Sequence, residues 1–393
     1  MRLAFVSYSF SSEGLSASFR AVRFAKYLVR AGCQLELFTP RPPGHKLADL
    51  DSPQVNLTHI PYRPLGGDSL PAKFFNRLVY LPEPLKAWVA PACRVMLGRL
   101  RENPVDALLV TTPPHVVQLV GVRLARELGL PYFADLRDDW LTSHRQKWRT
   151  PLHKWIAARC ERQVVETARG VFLNTAIVRE RYAKRYPAFA DKLHTLTNGY
   201  DEDDFTAASQ CDIRKGDPRR ILLYCGSDYD GFIPRQLRWL AGHMGELGLD
   251  KLWRIISAGY GDNPPESYGS FWSHLNVLTV EAASQASMQA DLLLTAMPPG
   301  EQTPSGTVPL KTYSYLRTEK PIVYIGESGS TTDLLAKFAG TYSLPRAAWP
   351  DLPNWLARHQ GQLLNRYPRP GVDEYSVGSL VQKLLGTIDR VVH

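Results

Sequence analysis

The chain has 393 residues, 44% of them hydrophobic and 22% charged, the composition of a folded protein at a length that fits two domains of roughly 150–200 residues each. No apolar run approaches the roughly 20 residues that cross a bilayer, and five scattered cysteines without a C-x-x-C argue against a disulfide framework or a zinc site and for a reducing cytosol. The net charge of +9 is unevenly divided: residues 1–199 hold 29 Lys and Arg against 16 Asp and Glu, whereas residues 200–393 hold 18 against 22.

Short β-rich runs alternate with helical-period runs, a pattern that predicts parallel sheets with crossover helices. Leu3–Tyr8 reads as the first strand, too quickly polar for a secretory leader. Ala21, Val22, Ala25, Leu28 and Val29 share a helical face, Gly32 stops that helix, and Leu35–Thr39 is the next strand. Ala107–Thr111, a helix over Val116–Leu128, and Tyr132–Leu136 follow. These strands are continuous in apolar residues, as in a sheet buried on both faces. The second half repeats the pattern: strand Ile221–Cys225, helix Pro234–Leu247, strands Trp253–Ser257, Val277–Val280 and Leu292–Ala296, helix Leu310–Thr318, and strand Ile322–Ile325. Val377–Val392 closes the chain as an amphipathic helix with Leu380, Leu384, Ile388 and Val391 on one face. The turn at Asn198-Gly199 divides two α/β domains, 1–197 and 198–393, and the acidic Asp201–Asp204 beside it reads as an exposed interdomain turn. The last helix is free to pack back on the first domain.

Between Pro71 and Arg101, Phe74, Phe75, Tyr80 and Trp88 interleave with Lys73, Arg77, Lys86, Arg94 and Arg99. Such a mixture suits a lipid interface, with charges on headgroups and rings at the acyl boundary, and equally suits two ordinary surface helices broken at Leu81-Pro82-Glu83-Pro84. The first half's basic excess favours an anionic membrane surface or a phosphate-bearing acceptor as partner. Nucleic acid is disfavoured, since no helix-turn-helix, zinc-finger or RNA-recognition pattern is present.

Four places carry candidate chemistry. The small residues from Ser11 to Ser18, with Gly14, lead into a helix bearing Arg20, an arrangement that lets backbone amides approach an anion or a sugar hydroxyl. Asp135-Leu136-Arg137-Asp138-Asp139-Trp140 follows directly on a buried strand, where ligands of open α/β sheets bind. There a carboxylate orients an acceptor and Arg137 holds a phosphate or pins the carboxylates. Gly226 ends a strand, and Arg235 opens the helix after it, which suits a pyrophosphate. Ser305-Gly306-Thr307 lead into a helix with Lys311 in its first turn, a second anion site. No G-x-S-x-G, H-E-x-x-H, Walker loop or G-x-G-x-x-G is present, so no cofactor is expected.

Taken in order, Gly14 to Gly32, Thr112-Pro113-Pro114 with Asp135–Trp140, Asn198-Gly199-Tyr200-Asp201 with Phe205, Gln289–Leu294, and Val308-Pro309-Leu310-Lys311-Thr312-Tyr313-Ser314-Tyr315-Leu316 running on to Ile322 resemble family 4 of the retaining glycosyltransferases. The resemblance is to bacterial members that build surface polysaccharides and lipid-linked glycans. It implies a GT-B fold, two Rossmann-like domains facing across a cleft, with the acceptor on the first domain and a nucleotide-sugar donor on the second. It implies metal-independent transfer with retention on the inner face of the cytoplasmic membrane. Gly226, Arg235, Ser305, Gly306, Thr307, Lys311 and Ser314 would hold the donor, Asp138 and Arg137 would serve catalysis, and Gly14, Arg20 and Asp135 would face the acceptor. Two family glutamates that hold the donor correspond here to Gly306 and Ser314, and Arg137 stands where many members carry a histidine. The departures at Gly306 and Ser314 keep open an inactive glycosyltransferase-like binding subunit, and a nucleotide-sugar epimerase on the same fold is a separate alternative.

Overall fold

The computed structural model describes residues 1–10, 16–40, 52–61, 69–70, 80–142, 148, 150–206, 211–227, 231–259, 266–297 and 306–392. The chain divides into two compact units, Met1–Asn198 with Val377–His393, and Gly199–Ser376.

The first unit is built on β1 (Arg2–Ser7), α1 (Ser16–Arg30), β2 (Gln34–Thr39), β3 (Val55–His59), α2 (Val89–Glu102), β4 (Ala107–Thr111), α3 (Gln118–Leu128), β5 (Tyr132–Arg137), α4 (Pro151–Thr167), β6 (Gly170–Leu173), α5 (Ala176–Arg185) and β7 (Leu193–Thr195). Its strands form one sheet in the order β3-β2-β1-β4-β5-β6-β7, parallel throughout. Every residue of β4, β5 and β6 is buried, as the sequence predicts for the runs Ala107–Thr111 and Tyr132–Leu136. Helix α1 ends at Gly32, whose φ of +84° lets the amides of Gly32 and Cys33 reach back to the carbonyls of Val29 and Leu28. The C-terminal helix Val377–Val392 lays Leu380, Leu384 and Ile388 into the cluster formed by Ala21, Phe24 and Leu28 of α1. Each such side chain contributes roughly 1.5–3 kcal/mol by leaving water. Val391, expected on that face, is 40% exposed.

The second unit carries α6 (Asp203–Thr206), β8 (Arg220–Cys225), α7 (Phe232–Glu246), β9 (Trp253–Ala258), β10 (Trp272–Leu275), α8 (Val280–Gln289), β11 (Leu292–Ala296), α9 (Leu310–Arg317), β12 (Ile322–Gly326), α10 (Ser330–Leu335), β13 (Thr341–Pro345) and α11 (Leu352–His359). Its six strands run parallel in the order β10-β9-β8-β11-β12-β13. The strand order reverses at β1/β4 in the first unit and at β8/β11 in the second, the places where open α/β sheets leave a crevice for ligands.

Three expectations are corrected. Val277–Val280 is not a strand: the strand lies earlier, at Trp272–Leu275. Thr279 instead caps α8, its hydroxyl accepting from the amide of Ala282 at 3.2 Å, with Glu281 in the first turn. The acidic Asp201–Asp204 turn is not exposed throughout. Asp201 and Asp204 are buried, with Asp201 accepting from the amide of Asp203, while Glu202 pairs with Arg317 at 2.9 Å. Trp88, grouped with lipid-facing rings, is a fully buried core residue whose indole N–H donates to the carbonyl of Ile60. Phe74, Phe75, Lys73 and Arg77 lie outside the described residues. Among the described residues no helix is long and apolar enough to cross a membrane.

Candidate functional site

In the second unit, β8 runs out at Cys225-Gly226, beside the reversal of strand order. Gly226 has φ +151°, and a Cβ built there would lie 2.5 Å from the Nζ of Lys311. A Cβ on Gly259, at the end of β9, would collide with the Gly226 carbonyl. The two glycines therefore bring backbone close together and leave room only for the lysine head.

Lys311 stands in the first turn of α9, whose N-terminus no side chain caps. The residue as a whole is partly exposed, but its Nζ is buried and has no hydrogen-bond partner among the described residues. The ammonium lies 3.7 Å from the centroid of the Tyr224 ring, and loss of water lowers its pKa from 10.5 to about 7. The thiol of Cys225, itself pushed up to about 12 by burial, is the neighbouring group that opposes this shift. A buried amine without an acceptor, at an uncapped helix start and over an aromatic face, is set up to receive an anion.

The helix is fixed at both ends. The Tyr315 hydroxyl accepts from the amide of Cys225 at 3.2 Å, joining α9 to β8. The buried Arg369 donates to the carbonyls of Leu316 at 3.0 Å and Lys320 at 2.6 Å, satisfying the carboxyl end of α9. Thr331 holds the Thr307 carbonyl at 2.8 Å. Ser314 is three residues along α9 from Lys311 and so shares its face. Gly306 is buried and Thr307 half-buried just ahead of the helix. Arg235 is exposed in the first turn of α7, and Ser305 lies outside the described residues.

In the first unit the predicted cluster separates into a support and an open edge. Arg20 grips Asp135 with two hydrogen bonds, 2.9 and 2.8 Å, and Thr111 donates to the same carboxylate at 2.7 Å. The same guanidinium donates to the carbonyls of Leu196 and Thr197. With Arg20 and Asp135 buried and engaged with each other, they fix α1, β5 and the 196–198 segment. Asp139 likewise belongs to the framework, paired with Arg185 and accepting from the amides of Leu141 and Thr142. Asp138 is the half-buried carboxylate of the run, held by the side chain of Asn174 at 3.2 Å, while its carbonyl meets His115 Nε2 at 3.1 Å. His115 stacks on Trp140 with ring centroids 5.4 Å apart. Arg137 adopts φ +60°, unusual for a residue with a side chain, and donates to the Thr112 carbonyl at 2.8 Å. Gly14 lies outside the described residues. Among the described residues, no cluster of His, Cys, Asp and Glu could hold a metal ion.

Sequence reasoning did not single out Asn174, Tyr224, Arg369 or His115. Asn174 follows β6 directly, so the strand-end argument that picked out Asp138 applies to it as well.

Residues 17–199 match the glycosyl transferase 4-like domain. The fold is shared over nearly the whole chain with sucrose-phosphate synthase from Thermosynechococcus elongatus (TM-score 0.69, 11% identity, 99% of this chain and 98% of that one). It is also shared with HepE of Anabaena in complex with UDP-glucose (0.62, 14%, 99% and 100%) and with a UDP-forming trehalose-phosphate synthase from Burkholderia xenovorans (0.66, 13%, 100% and 99%). No curated protein matches the chain in sequence. Residues 17–199 thus form a glycosyl transferase 4-like domain, and the two parallel-sheet units have the GT-B fold of these glycosyltransferases.

Proposed function

We propose that the chain transfers a sugar, with retention of anomeric configuration, from a nucleoside-diphosphate sugar to a glycan or lipid-linked acceptor in cell-surface polysaccharide synthesis. The observation that carries this reading is Lys311: its buried ammonium has no acceptor among the described residues and lies against Gly226 at the strand-order reversal. Departure of the nucleoside diphosphate leaves negative charge on phosphate oxygens, and a preorganised cation with free helix amides stabilises that charge as it develops. Lys311, the amides of the Ser305–Thr307 loop and Arg235 are assigned to the diphosphate, and Ser314 to the nucleoside side of Lys311. No metal is assigned a role.

Asp138, held by Asn174, is assigned to orienting the acceptor hydroxyl, with Arg137 beside it in sequence. The chain would work at the inner face of the cytoplasmic membrane, where the basic first half meets anionic lipid. Two related folds name UDP or a UDP-sugar, so uridine diphosphate leads the test. Thermal denaturation is followed with UDP, GDP, ADP, dTDP and CMP. A rise in melting temperature with one diphosphate supports a working donor site, since a ligand selective for the folded state stabilises it. No shift with any of them contradicts the transfer reading and favours a binding subunit that has lost turnover.

A further inference from the structure

On the helical face of the first unit, a groove of about 600 Å³ runs between α3 and α4 and is also lined by Lys86 and by Val89 at the start of α2. Its floor is apolar, made by Val89, Leu119, Val122, Ile156 and Cys160. The spacing explains the floor. Leu119, Val122, Arg123 and Arg126 recur every three or four residues along α3, and Trp155, Ile156, Arg159 and Cys160 do the same along α4. Helix α3 thus turns apolar residues and two arginines toward the trough, and α4 turns apolar residues and Arg159 toward it.

Among the described residues the rim carries Lys86, Arg123, Arg126 and Arg159 against one carboxylate, Glu127, which is taken up by Arg123 at 2.7 Å. Beside it Trp155 is 56% exposed and Leu152 53% exposed, large apolar side chains that a soluble surface gains nothing by displaying. The Arg159 guanidinium lies 5.0 Å from the Trp155 ring.

We propose that this groove is where the protein docks on an anionic lipid surface, with phosphate headgroups on the arginine rim and the first acyl carbons on the apolar floor. Guanidinium groups bind phosphate oxygens in pairs, and a tryptophan with a basic neighbour is the side chain that settles at a membrane interface. A soluble anion would satisfy the rim and leave the floor and Trp155 in water, which is why the lipid is the better complement. The proposal names the surface behind the membrane partner assigned above and rests on that assignment, but not on sugar transfer. The groove lies along the faces of α3 and α4, whereas Asp138, assigned to the acceptor, follows strand β5.

The test uses the full chain without donor, partitioned onto vesicles of phosphatidylcholine alone or mixed equally with phosphatidylglycerol. The expected result is binding to the mixed vesicles only, weakened by salt. The triple variant R123Q/R126Q/R159Q should bind at least tenfold more weakly, since each basic residue near an anionic surface contributes about fivefold, or about 1 kcal/mol. Trp155→Phe should remove most of the fluorescence quenching caused by brominated phosphatidylglycerol. The substituted residues are exposed, so unchanged melting temperatures certify the fold. Equal partitioning of the wild type onto both vesicles, or wild-type partitioning by the triple variant, overturns the proposal. Because no donor is present, a failure of docking is read separately from a failure of transfer.

Discussion

Lys311 and Tyr224 share one contact with two consequences: the ammonium rests 3.7 Å from the ring centroid, and the same ring's hydroxyl donates to the Ser227 carbonyl at 2.7 Å. A single aromatic residue thereby supports the lysine head with its face and holds the strand-end turn with its edge. The lysine is left buried and short of an acceptor among the described residues, an arrangement that costs the unliganded protein stability.

Lys311→Met keeps the length of the side chain and removes the charge. The unliganded variant should melt higher than the wild type at pH 7, because a buried amine is replaced by an apolar group. Its affinity for the cognate nucleoside diphosphate should fall ten- to a hundredfold, the loss of a charged hydrogen bond of about 1.5–3 kcal/mol. Scanning calorimetry and titration calorimetry check the two halves. A lower melting temperature with unchanged affinity would make Lys311 a structural residue.

The pH dependence follows from the same group. Its pKa is 10.5 unfolded and about 7 folded, so between those values the unfolded chain holds a proton that the native protein has released. Stability from Lys311 therefore rises with pH across the window from about 7 to 10.5. Urea titrations at pH 7 and 9 should show this rise in the wild type and a smaller one in Lys311→Met. Equal slopes in the two proteins would contradict the lowered pKa.

Arg20→Met strands the carboxylate of Asp135 inside the first unit. Removing one member of a buried ion pair costs about 3–5 kcal/mol, and this arginine also satisfies the Leu196 and Thr197 carbonyls. The expected result is a melting temperature lower by about 10 °C, at roughly 2–4 °C per kcal/mol for a domain of this size. A variant that melts like the wild type but loses activity would instead place Arg20 at the substrate.

Asp138→Asn and Asn174→Ala separate chemistry from donor binding. Both should lower turnover at least tenfold while leaving nucleoside-diphosphate affinity within about twofold, since neither residue is assigned to the donor. Asn174→Ala removes the hydrogen bond to Asp138 and one accepted from Arg20 but leaves the Asp138 carboxylate in place, so it should be the milder of the two. Weakened nucleotide binding in either variant would redraw the division of labour.

The central strands β1, β2, β4, β5, β8, β9, β11 and β12 were legible in the sequence because they are largely buried and read as apolar runs. Strands β3, β7 and β13, partly exposed and mixed in composition, and the short β6 were not picked out. The strand predicted at Val277–Val280 failed because Thr279 offers a cap, a local hydrogen bond that a count of β-branched residues does not register. Lys311 was legible from its place after a small-residue loop, but its burial was not, since burial depends on Tyr224 and Gly226, which lie far from it in sequence. Asp135 and Arg20 read as site residues because charged groups at strand ends often are. Their 115-residue separation hid the fact that they pair with each other. The groove between α3 and α4 was hidden likewise, because Arg123 and Arg126 belong to one helix and Trp155 and Arg159 to another, and only the fold sets them side by side.

The account turns on whether the second unit receives a nucleoside diphosphate at Lys311. Titration calorimetry at pH 8 in two buffers of different ionisation enthalpy measures both the binding and the protons taken up. The account predicts that one diphosphate, UDP first among those tried, binds the wild type with uptake of close to one proton, because the largely neutral amine must charge to meet the phosphate. It predicts no such uptake by Lys311→Met. Failure of every diphosphate to bind, or binding by the variant with the same affinity and proton uptake, would contradict it.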